Sequence, residues 1–255
     1  MNKRYLCVLA MVLMVCAEVS AQTLSGLELA QKIYDRPDGT DRSMSVDMVL
    51  VDKKGNQRPR ALVLFAKDEG PLAKTYLEFL APEDIKATKF LSMEQAQGDD
   101  IQYLYLPALG RARRIVSSQK NLRFVNTDYT YEDMQRRKPS EDEHRILREE
   151  VYNGRPCYVL ESVPVSGNSQ YSRRVSWVDK LSLVALHTDF YDKKGRLVKV
   201  FKVLSMKVVD GFWTVIKSRM EDLEEAHQTL MTVTEVRYDQ GIEGAKFELR
   251  ALEQR

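Results

Sequence analysis

The residues able to do chemistry in this chain are scattered, and their spacing limits what they can do. The run Arg111-Ala-Arg-Arg114 places three guanidinium forks close together, and such forks match phosphate and carboxylate oxygens. Arg111, Arg113 and Arg114 are thus candidates for a rim that meets anionic headgroups or an acidic partner surface. Glu141-Asp-Glu-His144 is the densest acidic run and reads as a solvated stretch ahead of a strand, not as a metal site. His144, His187 and His227 stand far apart, no Cys-x-x-Cys occurs, and the glycines form neither a dinucleotide fingerprint nor a P-loop. No serine lies in Gly-x-Ser-x-Gly. Cys157, within Arg155-Pro-Cys-Tyr-Val-Leu160, reads as a small buried hydrophobe. Neither catalysis, nor a metal, nor a cofactor is expected.

Those side chains must be positioned by something, and the chain has the material for it. It holds 255 residues, 44% of them hydrophobic, with 39 Lys+Arg against 37 Asp+Glu. The formal charge of +2 excludes the basic excess that phosphate-driven nucleic-acid binding needs. Beyond the first residues no stretch has the ~18 uncharged apolar residues of a membrane-spanning helix. Charged residues such as Lys74, Glu78, Arg173 and Asp189 on the outward strand faces also argue against a lipid-facing barrel.

The N-terminus reads as an export signal. Lys3 and Arg4 precede an uncharged apolar run from Tyr5 to Ala17, and Val19-Ser-Ala21 supplies small residues for cleavage before Gln22. The expectation is removal of residues 1–21 and a soluble periplasmic domain over 22–255. Lipid attachment at Cys16 ranks below this, because Leu13-Met-Val15 lacks the small residue wanted before an acylated cysteine. Removing 1–21 leaves Cys157 alone, so no intramolecular disulfide is expected.

The domain starts with a helix over 24–36, capped by Ser25 and stopped by Pro37-Asp-Gly39. The period then falls to two. Met44, Val46, Met48 and Leu50 alternate with polar residues, as do Thr75, Leu77 and Phe79, the pattern of antiparallel strands with one wet face. Asn153-Gly154 and Asp210-Gly211 are hairpin turns, and Asp-Lys-Lys-Gly occurs twice, at 52–55 and 192–195. About eleven strands are expected in one continuous sheet. A short helix over 129–134 and a last strand over 247–252 are also expected.

Four stretches carry a resemblance. Phe79-Leu-Ala-Pro82, Thr88-Lys-Phe-Leu91, Tyr103-Leu-Tyr-Leu-Pro-Ala-Leu-Gly-Arg-Ala-Arg-Arg-Ile115 and Asp128-Tyr-Thr-Tyr-Glu-Asp-Met134 follow one another in the order typical of the outer-membrane lipoprotein-sorting (LolA-like) family. The chain resembles the divergent branch of that family. It departs from the pattern at Val125-Asn-Thr127, where smaller residues such as Gly-Ser are expected. The resemblance implies a mainly β fold, an incomplete (half) antiparallel barrel with a few helices covering an apolar cavity. It also implies a non-catalytic carrier or holder of lipoprotein acyl chains or lipids. The alternative is an accessory subunit that docks on a membrane exporter.

Such a site makes physical demands that select residues. Each methylene exposed to water costs about 0.8 kcal/mol, so a carrier needs matching apolar area, and methionine suits walls that must adapt. Met44, Met48, Leu50, Leu77 and Phe79 are the expected wall on the first strands, with Trp177, Leu186 and Phe190 opposite. The same residues would equally form an ordinary closed core. An empty apolar cavity needs a cover. The candidate lids are the first helix, through Leu27, Ile33 and Tyr34, and the 129–134 segment, through Tyr129, Tyr131 and Met134.

Overall fold

A computed structural model describes residues 24–254; the expected export signal and Cys16 lie outside them. Helix α1 (Gly26–Tyr34) begins with a reciprocal cap. The Ser25 hydroxyl accepts the Glu28 amide, and the Glu28 carboxylate accepts the Ser25 amide, satisfying two of the donors that a helix start leaves open. Leu29 and Ala30 are the buried face.

Thirteen strands follow: β1 (Asp41–Val51), β2 (Gln57–Glu69), β3 (Leu72–Ala81), β4 (Lys89–Met93), β5 (Ile101–Leu106), β6 (Arg111–Ile115), β7 (Asp142–Tyr152), β8 (Arg155–Pro164), β9 (Tyr171–Asp179), β10 (Ala185–Asp192), β11 (Leu197–Val209), β12 (Phe212–Asp222) and β13 (His227–Tyr238). They form one antiparallel sheet in the order β6-β5-β4-β3-β2-β1-β13-β12-β11-β10-β9-β8-β7. The count exceeds the expected eleven. The arginine-rich stretch after Gly110 pairs with β5 as an edge strand, although nothing in its side chains alternates. Asn153-Gly154 and Asp210-Gly211 all have positive φ, as tight hairpin turns require.

The sheet is an incomplete barrel: it curls but does not close. Ala66 and Thr75, from one end of the strand order, line the same cleft as Leu160 and Ser176 from the other. Only a strongly curved sheet brings them together. The C-terminus departs from expectation. Residues 247–252 are not a strand; a 3-10 turn (Gly244–Phe247) leads into α2 (Leu249–Glu253). Phe247 and Leu252 pack on Tyr76 and Leu91, which point away from the cleft. That outer face needs an apolar cover here, and α2 supplies it.

Because β6 and β7 are the two opposite edges, the connection over 116–141 must cross the inner face. It acts as a strap, and the sheet holds it at many points. Phe124 and Tyr131 stack edge-to-face at 5.8 Å in the main core. The Asp128 carboxylate accepts the Thr229 hydroxyl at 2.6 Å. Asp133 accepts the Tyr171 hydroxyl at 3.0 Å and lies 3.4 Å from the Lys199 ammonium. Residues 131–134 are a hydrogen-bonded turn, not the expected helix. The departure at Val125-Asn126 falls where the backbone turns left-handed, with φ of 46° and 58°. A β-branched residue is strained there, and the Arg60 guanidinium, 2.6 Å from the Val125 carbonyl, holds the turn.

Candidate ligand cleft on the inner face

The curl leaves a cleft of two joined chambers. The outer one, about 620 Å³, is bounded by α1, the strap and strands from both ends of the sheet. The inner one, about 350 Å³, has mainly apolar walls that include Met44, Met48, Leu77, Met134, Phe201 and Met231. Arg36, Asp38, Arg42, Met134 and Phe201 border both.

The sequence-derived wall divides over this geometry. Met44, Met48 and Leu77 line the inner chamber and Phe190 the outer one. Leu50 and Phe79 are packed in the closed core beside it. Trp177 and Leu186 do not face the cleft. Trp177 sits opposite Val159 and His187, out of phase with Ser176 and Val178, which do. A bulge between Ala185 and His187 shifts the alternation that sequence spacing assumes, and Leu186 joins a separate cluster with Cys157 and Val203.

The lid candidates also divide. Ile33 and Tyr34 border the outer chamber, while Leu27 points to water, 55% exposed. Tyr129 and Met134 line the inner chamber, but Tyr131 is buried in the core. The rim arginines are exposed, yet the strand splits them. Arg113 pairs with Leu104 and Arg114 with Tyr103, so Arg111 and Arg113 share one face of β6 and Arg114 takes the other.

The outer chamber is charged, and most of its charges are matched. Asp142 accepts both forks of Arg137, at 2.6 and 2.7 Å, and the Arg174 guanidinium at 3.0 Å. The Tyr34 hydroxyl donates to Glu94, and Arg136 stacks 4.1 Å over the Tyr34 ring while donating to its carbonyl at 2.6 Å. These contacts latch the end of α1 to the sheet and strap. His144 lies between the Ser162 hydroxyl and the Pro139 carbonyl, each 2.9 Å away. Its Nε2 must carry the proton to meet a carbonyl, so Nδ1 accepts from Ser162. The two are directly opposed across β7 and β8, and the bond works as an interstrand tie.

None of Arg36, Arg42, Glu94, Asp100, Arg136 or Arg174 stood out in the sequence. Most lie at turns or strand ends, where no periodicity marks them. Burial pushes the Asp100 carboxyl up to about 6, with Lys138 opposing and Glu94 adding to the shift. A carboxyl raised in the folded state lowers stability as pH climbs from its unfolded value toward 6, because only the folded protein holds the proton there. Asp100→Asn is therefore expected to raise the melting temperature at pH 8 and leave it unchanged at pH 4. The gain at pH 8 should be on the order of 2 kcal/mol. Equal shifts at both pH values would show that burial of the ionised form is not the cause.

Open curvature, an inner cleft and a strap across it define the LolA-like class of half-barrel. A family model described as an uncharacterized protein matches residues 72–254. The chain is 31% identical to a domain from Vibrio parahaemolyticus described as outer membrane lipoprotein-sorting. That match covers 90% of this chain and 98% of the other, with a TM-score of 0.85. It is 33% identical to a DUF1329 family protein from Desulfovibrio piger, over 89% and 97% of the two chains, with a TM-score of 0.85. A LolA superfamily protein from Nitrosomonas europaea shares the fold, with a TM-score of 0.69 at 14% identity over 88% and 97% of the chains. No curated protein matches the chain by sequence. The chain belongs to the outer-membrane lipoprotein-sorting (LolA-like) family, in its DUF1329 branch.

Proposed function

We propose that the protein carries or holds acylated lipoproteins or lipids in the periplasm, seating acyl chains in the inner chamber without chemistry on them. One observation carries this reading: an apolar, methionine-rich space of about 350 Å³ lies unfilled beside a tightly packed core. Interiors normally pack to crystal density, and ligand pockets start at about this size. The name of the Vibrio relative agrees with it. Among the described residues no helix is long and apolar enough to cross a membrane, and the N-terminal pattern supports export with cleavage after Ala21.

In this reading the movable cover is α1. It rests on β7 through Gly26, pressed against the His144 backbone, and on β8 and β9 through Leu29 and Ala30 against Leu160 and Val178, and the Tyr34 latch holds its end. The 129–134 segment is fixed by Tyr131 and Asp133 and forms a wall.

Native mass spectrometry of protein purified from its own envelope tests the function. Co-purifying lipid or acylated protein is the expected result. An empty cleft with a bound membrane protein would replace this reading with that of an exporter subunit, docked through the exposed Arg111 and Arg113. Covalent labelling of Ser162 by a serine-directed phosphonate would instead mean that Ser162 and His144 act as a nucleophile and base.

A further inference from the structure

The boundary between the two chambers holds an unusual cation. Arg36 follows the end of α1 and borders both the apolar and the polar chamber. Its guanidinium donates once, to the Trp213 carbonyl at 3.0 Å, and forms no ion pair among the described residues. A guanidinium has five donors, so most of its capacity is unspent. The charged groups facing it are Asp38, Arg42 and Arg136. The one anion among them, Asp38, is already paired with Arg42, and Arg136 is committed to Tyr34 and Glu94. Asp68 lies beside Arg42 and Arg136, which leaves Arg36 as a cation without an ion pair, among the described residues, at the entrance to an apolar chamber. Burial makes the charge costly there, lowering the Arg36 pKa.

Resting on the acyl-chain reading above, we propose that Arg36 receives the anionic head of a single-chain or acyl amphiphile whose tail fills the inner chamber. The shared chemistry is a carboxylate or phosphate oxygen accepting from the guanidinium fork, within reach of the paired Arg42. Charge-assisted contacts of this kind are the strong ones, more so where water is partly excluded. A neutral ligand of equal chain length would fill the same chamber and leave Arg36 without a partner. The site thus discriminates by head, and the chamber supplies affinity by tail.

Three ligands with one tail separate these contributions: hexadecanoate, hexadecyl phosphate and hexadecanol, each displacing an uncharged pyrene-alkyl alcohol at pH 8. In the wild type at least one of the two anions should bind about tenfold more tightly than the alcohol. The tighter of the two identifies the head as carboxylate or phosphate. Arg36→Gln should abolish that preference and leave hexadecanol affinity unchanged, which also shows the variant is folded. Arg36→Lys should keep part of the preference, since charge remains while the fork is lost. Equal affinity for all three in the wild type, or a preference that survives Arg36→Gln, would overturn the assignment while leaving the acyl chamber standing. Failure of every ligand, the alcohol included, would overturn the chamber as well.

Discussion

Asp142→Ala is expected to destabilise the protein by about 3–5 kcal/mol, the loss seen when one member of a buried charge cluster is removed. The Asp142 side chain is 4% exposed and meets two arginines. Arg137 comes from the strap, which starts at the far edge of the sheet; Arg174 comes from β9. This one carboxylate, on the first residue of β7, therefore fastens the crossing chain to β9. Alanine would leave both guanidiniums without that partner. Arg137 keeps only Glu132 and Glu141, at 3.9 and 3.7 Å, and Arg174 has no other ion pair among the described residues. Asp142→Asn keeps the shape and one acceptor oxygen but turns an amide donor toward a guanidinium, so it should cost less than alanine without restoring the wild type. Urea melts of the three proteins decide this. A loss under 1 kcal/mol for alanine would mean that apolar packing of Phe124 and Tyr131, not charge, holds the strap.

Local signals in the chain reached the architecture and stopped short of the site. Ser25 with Glu28, the alternation from Met44 to Leu50 and the Asn153-Gly154 turn act between residues close in sequence, so their meaning is readable there. Trp177 takes the opposite face of β9 from Ser176 and Val178, which line the cleft, and Leu186 sits at a bulge between Ala185 and His187 that nothing in the residue types announces. Phe247 and Leu252 are apolar whether 247–252 is a strand or a helix, so local pattern does not separate the two; the outer face of β4 and β5 decides the matter. Arg36, Glu94 and Arg136 converge only after β6 and β7 become opposite edges of one sheet. Their association is a property of topology. The four-stretch resemblance reached further, since it supplied the curl and the cavity that alternation alone left open.

Filling the inner chamber is expected to abolish acyl binding without harming the fold. Met44 and Met231 line it, are partly exposed, and stand on neighbouring strands. Tryptophan at either position would project an indole into space that the native side chains leave empty. In a closed core that substitution forces strain and costs about 1–3 kcal/mol. In a true chamber it adds apolar contacts, and cavity filling commonly stabilises by about 0.5–2 kcal/mol. The two readings of the methionine-rich face thus differ in the sign of one measurement. Met231→Trp should raise the melting temperature or leave it unchanged, while weakening binding of the pyrene-alkyl alcohol at least tenfold, an expectation scaled from losing about two buried methylenes. Leu50→Ala, made in the packed region next to the chamber, should do the reverse. It should cost about 2–5 kcal/mol, because Leu50 is 2% exposed, and it should leave the tail site intact. If Met231→Trp is destabilising and binding is unaffected, the methionines belong to an ordinary core, and the ligand, if any, must be sought in the charged outer chamber.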